Sequence, residues 1–152
     1  MRKRRTARVM LFDPAGEILL IRFVVQRTEG EFCFWAAPGG EIEAGETEAE
    51  AAEREVLEEL GIEVEVDGPV YVDKNEFLHM GEMQDNTDYF FRGRCEREAP
   101  VLKGVTAEEI AVMKEIRWWS VGEIDAALAG GGERIFPEGL AVRIRELADG
   151  KV

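Results

Sequence analysis

Residues 38–62 read PGGEIEAGETEAEAAEREVLEELGI. Thr47 is placed to cap a helix, and Glu50 three residues on completes a capping box. Glu48 and Glu50 also suit the positive end of the helix dipole. The helix is expected to run to Leu60, where Gly61 can take the left-handed conformation that ends it. At about 100° per residue, Glu55, Glu58 and Glu59 share an arc of about 100°. Ala49, Ala52, Val56 and Leu60 fall beside that arc as an apolar stripe. One flank of this helix therefore faces a core while the next carries like charges close together.

Upstream of this stretch the pattern is that of strands. Phe32 to Ala37 is an apolar run closed by Pro38-Gly39-Gly40. Ile18 to Ile21 reads as a buried strand and Thr6 to Phe12 as another. The turn signal Asp13-Pro14-Ala15-Gly16 joins those two into a hairpin. Downstream, Ile62, Val64 and Val66 alternate with acidic residues, as in a half-exposed strand that Val70 to Val72 could extend. Gly81 to Asn86 reads as a loop, Thr87 to Arg94 as a strand, Glu96 to Ala107 as polar and turn-rich, and Ile116 to Trp119 as a strand. Ser120 caps a short helix reaching about Leu128. Gly130-Gly131-Gly132 is a break. Pro137 suits a helix start, with Leu140, Ile144 and Leu147 as its apolar stripe. Strands and helices mix without strict alternation, so the expectation is an α+β chain, an α/β/α sandwich with a mixed sheet between helices.

The chain has 152 residues. That is one domain's worth at about 100–200 residues per domain, so residues 1–152 are expected to form a single unit. With 45% hydrophobic and 34% charged residues, it is neither collagen-like nor disordered. Nineteen basic against 32 acidic residues leave a net charge of −13. Such a surface repels nucleic-acid polymers and anionic membranes, although an acidic cluster can meet a phosphate through a cation. Cys33 and Cys95 match no metal-ligand spacing and are expected to be reduced, packed thiols. The apolar run after the basic start, Val9 to Phe12, is too short for a signal peptide core, and no run is long enough to span a bilayer. A cytoplasmic location is expected.

The residues leave two readings of the acidic arc. Like charges four apart destabilise a helix unless water, salt or a cation screens them. A solvated face answers the problem, and so does Mg²⁺ or Mn²⁺, which prefers converging carboxylate oxygens. The preceding glycines, Gly39, Gly40 and Gly45, allow backbone to approach a ligand closely.

At this point the sequence resembles a known family. Gly40, Glu46, then Arg54-Glu55-Val56-Leu57-Glu58-Glu59-Leu60-Gly61-Ile62 fill every fixed position of the Nudix box, G-x5-E-x7-R-E-U-x-E-E-x-G-U. Trp35 to Gly40 and Arg117-Trp118-Trp119 are similar to the segments that flank it in the family. The resemblance implies the Nudix fold, with the box as loop-helix-loop. It implies hydrolysis of a nucleoside diphosphate linked to another moiety, with Mg²⁺ or Mn²⁺. Carried over by position, Glu55, Glu58 and Glu59 are metal ligands, joined by the Gly39 carbonyl. Arg54 and Glu46 brace the loop, with Gly40 and Gly61 as structural box positions. The base that activates water is a box glutamate in some members and a later-loop residue in others. Here Glu109 and Glu108 are the leading later-loop candidates, ahead of Glu82, Asp85, Asp88 and Glu115.

A small nucleotide is therefore the expected partner, a nucleoside triphosphate first, with ADP-ribose or another nucleotide sugar as the alternative. A non-catalytic nucleotide-sensing module is the alternative of another class, disfavoured because all the box glutamates are kept. The NADH-type array SQPWPFPxS is absent. The residues at the position that marks diadenosine polyphosphate and ADP-ribose enzymes are Phe77-Leu78-His79, not tyrosine or proline. Arg22 and Arg27 are candidate phosphate contacts. Arg2 to Arg5 and Arg8 are expected as a frayed, solubilising terminus, and His79 as a loop imidazole without a role. Family members are often dimers, which leaves a homodimer open.

Overall fold

The computed structural model describes residues 2–79, 81–103, 107–130, 133–136 and 139–148. Among them, strands β1 (Arg2–Phe12), β2 (Ile18–Arg27), β3 (Gly30–Ala36) and β4 (Gly39–Glu41) precede helix α1 (Glu48–Leu60). Then follow β5 (Asp67–His79), β6 (Glu82–Arg94), α2 (Ala107–Val112), β7 (Met113–Trp119), α3 (Val121–Leu128), β8 (Ile135–Phe136) and α4 (Leu140–Ala148).

The strands make one mixed sheet in the order β5-β6-β1-β2-β3-β8, with β4 on β1 and β7 on β2. Only β1·β6 and β3·β8 are parallel among the described pairs. Leu11 and Phe12 of β1 pair with Leu19 and Ile18 of β2, across the turn that Asp13 and Gly16 make. Further back, Thr6, Ala7 and Arg8 pair instead with Glu41, Gly40 and Gly39 of β4. The glycine loop is thus held against the middle of a buried strand.

Helices cover both faces, which is why β1 and β2 read as continuous apolar runs rather than alternating ones. Ala7, Val9 and Leu11 of β1 join Leu19, Ile21, Ala51, Ala52, Val56 and Leu60 in a core under α1. Met10 and Phe12 point the other way, to Trp35, Phe90, Trp119, Ile124, Leu140 and Ile144 under α3 and α4. This is the expected α+β sandwich with helices on either side of a mixed sheet.

α1 forms as the sequence requires. Thr47 accepts from the Glu50 amide, Glu50 returns a bond to the Thr47 amide, and Gly61 ends the helix at φ 72°. Ser120 and Glu123 repeat the same box on α3. The exposed carbonyls at the end of α1 are met by the returning chain. The Val101 amide donates to the Leu60 carbonyl at 3.0 Å, and the Lys103 amide to the Glu59 carbonyl at 2.7 Å. That return delivers α2 to the same end of α1.

Several expectations change. Among the described residues, those at 62–66 pair with no strand, and β5 begins at Asp67. Ile62, Val64 and Val66 still alternate into the core under α1, so the periodicity reported burial, not a ladder. Gly81 is the turn of a long hairpin, and β6 starts at Glu82 instead of after a loop ending at Asn86. The basic terminus is not frayed. From Arg2 onward it is a strand, because β6 offers it a parallel neighbour along its whole length. His79 ends β5 rather than sitting in a loop. Cys33 is exposed rather than packed, and both cysteines are free thiols. Pro137 and two of the three consecutive glycines, Gly131 and Gly132, lie outside the described residues. Among the described residues no helix is long and apolar enough to cross a membrane.

Candidate active site

Glu55 and Glu59 lie on the buried side of α1, at 7% and 3% relative exposure. Two carboxylates taken from water this far must find compensation. Glu59 finds part of it in the glycine loop, where the Gly39 amide donates to its Oε1 at 2.8 Å. Gly39 holds φ 155°, and a Cβ there would run into the Ala7 carbonyl and Arg8. Gly40 has a different reason to be glycine. A Cβ at that position would lie 2.6 Å from Cδ and Oε1 of Glu55, so the missing side chain is the space that the Glu55 carboxylate occupies.

Carboxylate oxygens of Glu55, Glu59 and Glu109 lie within 4.8 Å of one another. Glu109 arrives from α2, brought there by the chain that caps α1. Burial pushes the Glu59 carboxyl up to about 8, and the Glu55 charge adds to the effect, while the Gly39 amide and Arg8 oppose it. Glu55 is raised too, first by burial and then by Glu58 and Glu109, against the pull of Arg54. Arg54 and Arg8 offset the crowded carboxylates only in part, since both Glu55 and Glu59 remain raised. A hard divalent cation fits the cluster on donor chemistry, because every ligand is a carboxylate oxygen. It also fits on space, because the Gly40 cradle keeps Glu55 turned into the cluster.

Arg54 organises the loop around this point. Its Nε and Nη2 hold both oxygens of Glu46 at 2.6 and 3.0 Å, a bidentate charge-assisted pair. Nη2 also donates to the Glu41 carbonyl at 3.0 Å, and Nη1 to Glu55 at 2.9 Å and Glu58 at 3.2 Å. Glu46 is lowered by that arginine, and Arg54 is raised by Glu46 and Glu55. The effect is to fasten the loop across 41–46 onto α1 and to set the angle of Glu55.

Not every candidate residue converges. Glu58 faces Arg54 and is not in the tight oxygen cluster, consistent with its place at the outer flank of the acidic arc. Glu108 lies on α2, but its side chain is outside those described. Asp88 is buried away from the cluster, held by Thr6, Arg8 and Asn75. Glu115 pairs with Arg22 at 3.9 Å, and Glu82 and Asp85 sit on β6. Arg22 otherwise meets Cys33, and Arg27 stacks on Phe32 at 3.9 Å. Neither arginine touches the carboxylates.

The basic terminus has a role that its sequence did not disclose. Arg2 and Arg4 bind Glu41 at 2.7 and 3.0 Å, and Arg5 meets Glu48 at 3.4 Å. Arg8 reaches the Ala37 carbonyl at 3.3 Å and pairs with Asp88. These arginines tie β1 to the start and flank of the glycine loop. The visible signal was composition alone, basic residues on an acidic chain. Their partners depend on β4 pairing with β1, which no local pattern announces.

The family model described as the NUDIX domain matches residues 2–138. The chain belongs to the Nudix family. Its glycine loop and α1 are the Nudix box, packed on β1 and approached by Glu109 of α2. A stretch of 62 residues is 42% identical to an RNA pyrophosphohydrolase of Dinoroseobacter shibae; it covers 41% of this chain and only 36% of that relative's length. The E. coli ORF135 protein has a similar structure, with TM-score 0.68, 20% identity and coverage of 99% of this chain and 94% of that one. The MutT protein of Methanosarcina mazei Go1 is similar at TM-score 0.64 and 21% identity over 99% and 95% of the two chains. The E. coli dihydroneopterin triphosphate pyrophosphohydrolase is similar at TM-score 0.68 and 17% identity, covering 99% of each. At these identities the solved structures establish the Nudix fold.

Proposed function

We propose that this Nudix protein hydrolyses the pyrophosphate bond of a nucleoside diphosphate linked to another moiety, a nucleoside triphosphate or similar small nucleotide first, in a reaction that needs Mg²⁺ or Mn²⁺. The observation that carries the reading is the trio Glu55, Glu59 and Glu109, with two of the three carboxylates buried and all drawn to one point.

Glu55 and Glu59 would hold the cation, with the Gly39 carbonyl and Glu58 as further ligands. A bound divalent ion supplies neutralisation of the phosphate oxygens and a more acidic water. The chain supplies the rest. Arg54 keeps the Glu55 carboxylate aimed, and the Gly39 amide orients Glu59 from the other side. Glu109 stands on a separate helix, is less buried than the other two, and takes the proton from the attacking water. Glu108, its neighbour on α2, is the alternative base. The acidic surrounds disfavour long phosphate polymers, which supports a small substrate. The same chemistry would serve ADP-ribose, and the Dinoroseobacter relative, named an RNA pyrophosphohydrolase, adds RNA to the substrates to be tried. A cytoplasmic location accompanies this reading.

The test is release of phosphate or pyrophosphate from a panel of nucleoside triphosphates, ADP-ribose and 5′-triphosphorylated RNA. The protein is first stripped with chelator, then supplied with Mg²⁺ or Mn²⁺. Metal-dependent release from a triphosphate is expected. Binding of nucleotide with no release under any metal would replace the enzyme reading by the sensor reading.

A further inference from the structure

β5 is the outermost strand of the sheet, and among the described residues only β6 lies beside it. It runs from Asp67 to His79, long for an edge, and an unpaired edge is a template for another strand. Val72, Lys74, Glu76 and Leu78 alternate outward and are all exposed, while Tyr71, Asp73 and Asn75 turn partly inward. Val72 is 44% exposed and Leu78 65%. The outward row continues onto β6, where Tyr89 lies opposite Val72 and Met83, 42% exposed, lies opposite Leu78. Within the chain Lys74 and Glu76 make no ion pair among the described residues.

This strand is complementary to itself. Laid antiparallel against a second copy with Asn75 opposite Asn75, Lys74 faces Glu76 of the partner subunit and Glu76 faces the partner's Lys74. The same register sets Val72 against the partner's Leu78 and Leu78 against the partner's Val72. Cross-strand pairs of both kinds are favourable, and like charges directly opposite are not. Moving the centre to Lys74 or to Glu76 sets a like charge against itself. Moving it to Asp73 sets Val72 against Lys74.

We propose that two copies of this chain associate through β5 in that register, with a twofold axis at Asn75, so that one sheet continues across both subunits. The interface is isologous, as a closed dimer requires, and its backbone contacts are those of strand addition. Exposed Val72, Leu78 and Met83 form an apolar group at each end of the paired segment, with the two Lys74–Glu76 pairs between them.

The experiment is sedimentation of the full chain and three charge variants, with circular dichroism to show that each is folded. Wild type is expected to be a dimer. Lys74→Glu and Glu76→Lys each place like charges opposite one another twice and should weaken the dimer by about tenfold or more. An equimolar mixture of the two single variants should form a heterodimer, and the double variant Lys74→Glu/Glu76→Lys should recover the homodimer. A wild-type monomer overturns the proposal. So does a dimer that neither single variant weakens, or one that the mixture fails to restore.

Discussion

Glu59 is an acid that folding places where its charge is least welcome. Its carboxyl is raised from 4.5 to about 8 by burial and by Glu55. Between those values the folded, metal-free chain holds a proton that the unfolded chain has released. Its stability therefore falls as pH rises through that window. Glu59→Gln removes this penalty, so in thermal melts without metal the variant should gain on wild type as pH rises from about 5 to about 8. Added Mg²⁺ should raise the wild-type melting temperature more at the upper end, because a cation favours the ionised form. Turnover should move the opposite way. Losing even a residue that merely orients a ligand costs about 10–100-fold, so Glu59→Gln should cost at least about a hundredfold in kcat while the fold survives. Wild-type turnover in that variant would remove Glu59 from the site. Gly40 makes a second test. An alanine there competes with the Glu55 carboxylate for one volume, and the flexible side chain yields rather than the strand. A displacement of about 1 Å can cost about a hundredfold, so Gly40→Ala should lower kcat steeply with little change in melting temperature. A large loss of stability instead would show that the glycine serves the fold.

At the scale of elements, the loop and α1 act as a unit because Arg54 joins them. Lysine cannot reproduce the fork that holds both oxygens of Glu46 and the Glu41 carbonyl. Arg54→Lys should weaken Mg²⁺ binding about 10–100-fold, measured by titration calorimetry, and an unchanged affinity would leave the arginine a surface residue. α2 gives the matching test of the base. Glu109→Gln should slow single-turnover chemistry more than it weakens nucleotide binding, and Glu108→Gln should do so only if it is the base. Wild-type rates in both would remove α2 from the reaction. These elements differ in how openly the sequence declares them. α1 is written locally, since Thr47, Glu50 and Gly61 specify both of its ends. β4 and β8 have three and two residues, too few for any period to register. The stretch 62–66 carries a strand's alternation without a strand's partner, because alternation records which side is dry and nothing about hydrogen bonding.

Across the whole molecule, the continuous apolar runs of β1 and β2 already called for cover on both faces, and the two cores under α1 and under α3 with α4 provide it. The box was legible because its chemistry lies within one helix and the loop before it, where spacing alone sets direction. Glu55 and Glu59 share a face whatever the rest of the chain does. Two things depended on long-range packing. Glu109 joins them only because the chain after α1 returns to cap the helix through Val101 and Lys103. Arg2, Arg4 and Arg5 became braces for the loop only because β4 pairs with β1 beside α1. Glu58, by contrast, meets Arg54 as an i,i+4 pair local to α1, at the outer flank of the acidic arc. Helix geometry is a property of neighbouring residues and can be read from their order. Which distant side chain completes a charged cluster follows from how separate elements stack, and that is settled only when the two cores close.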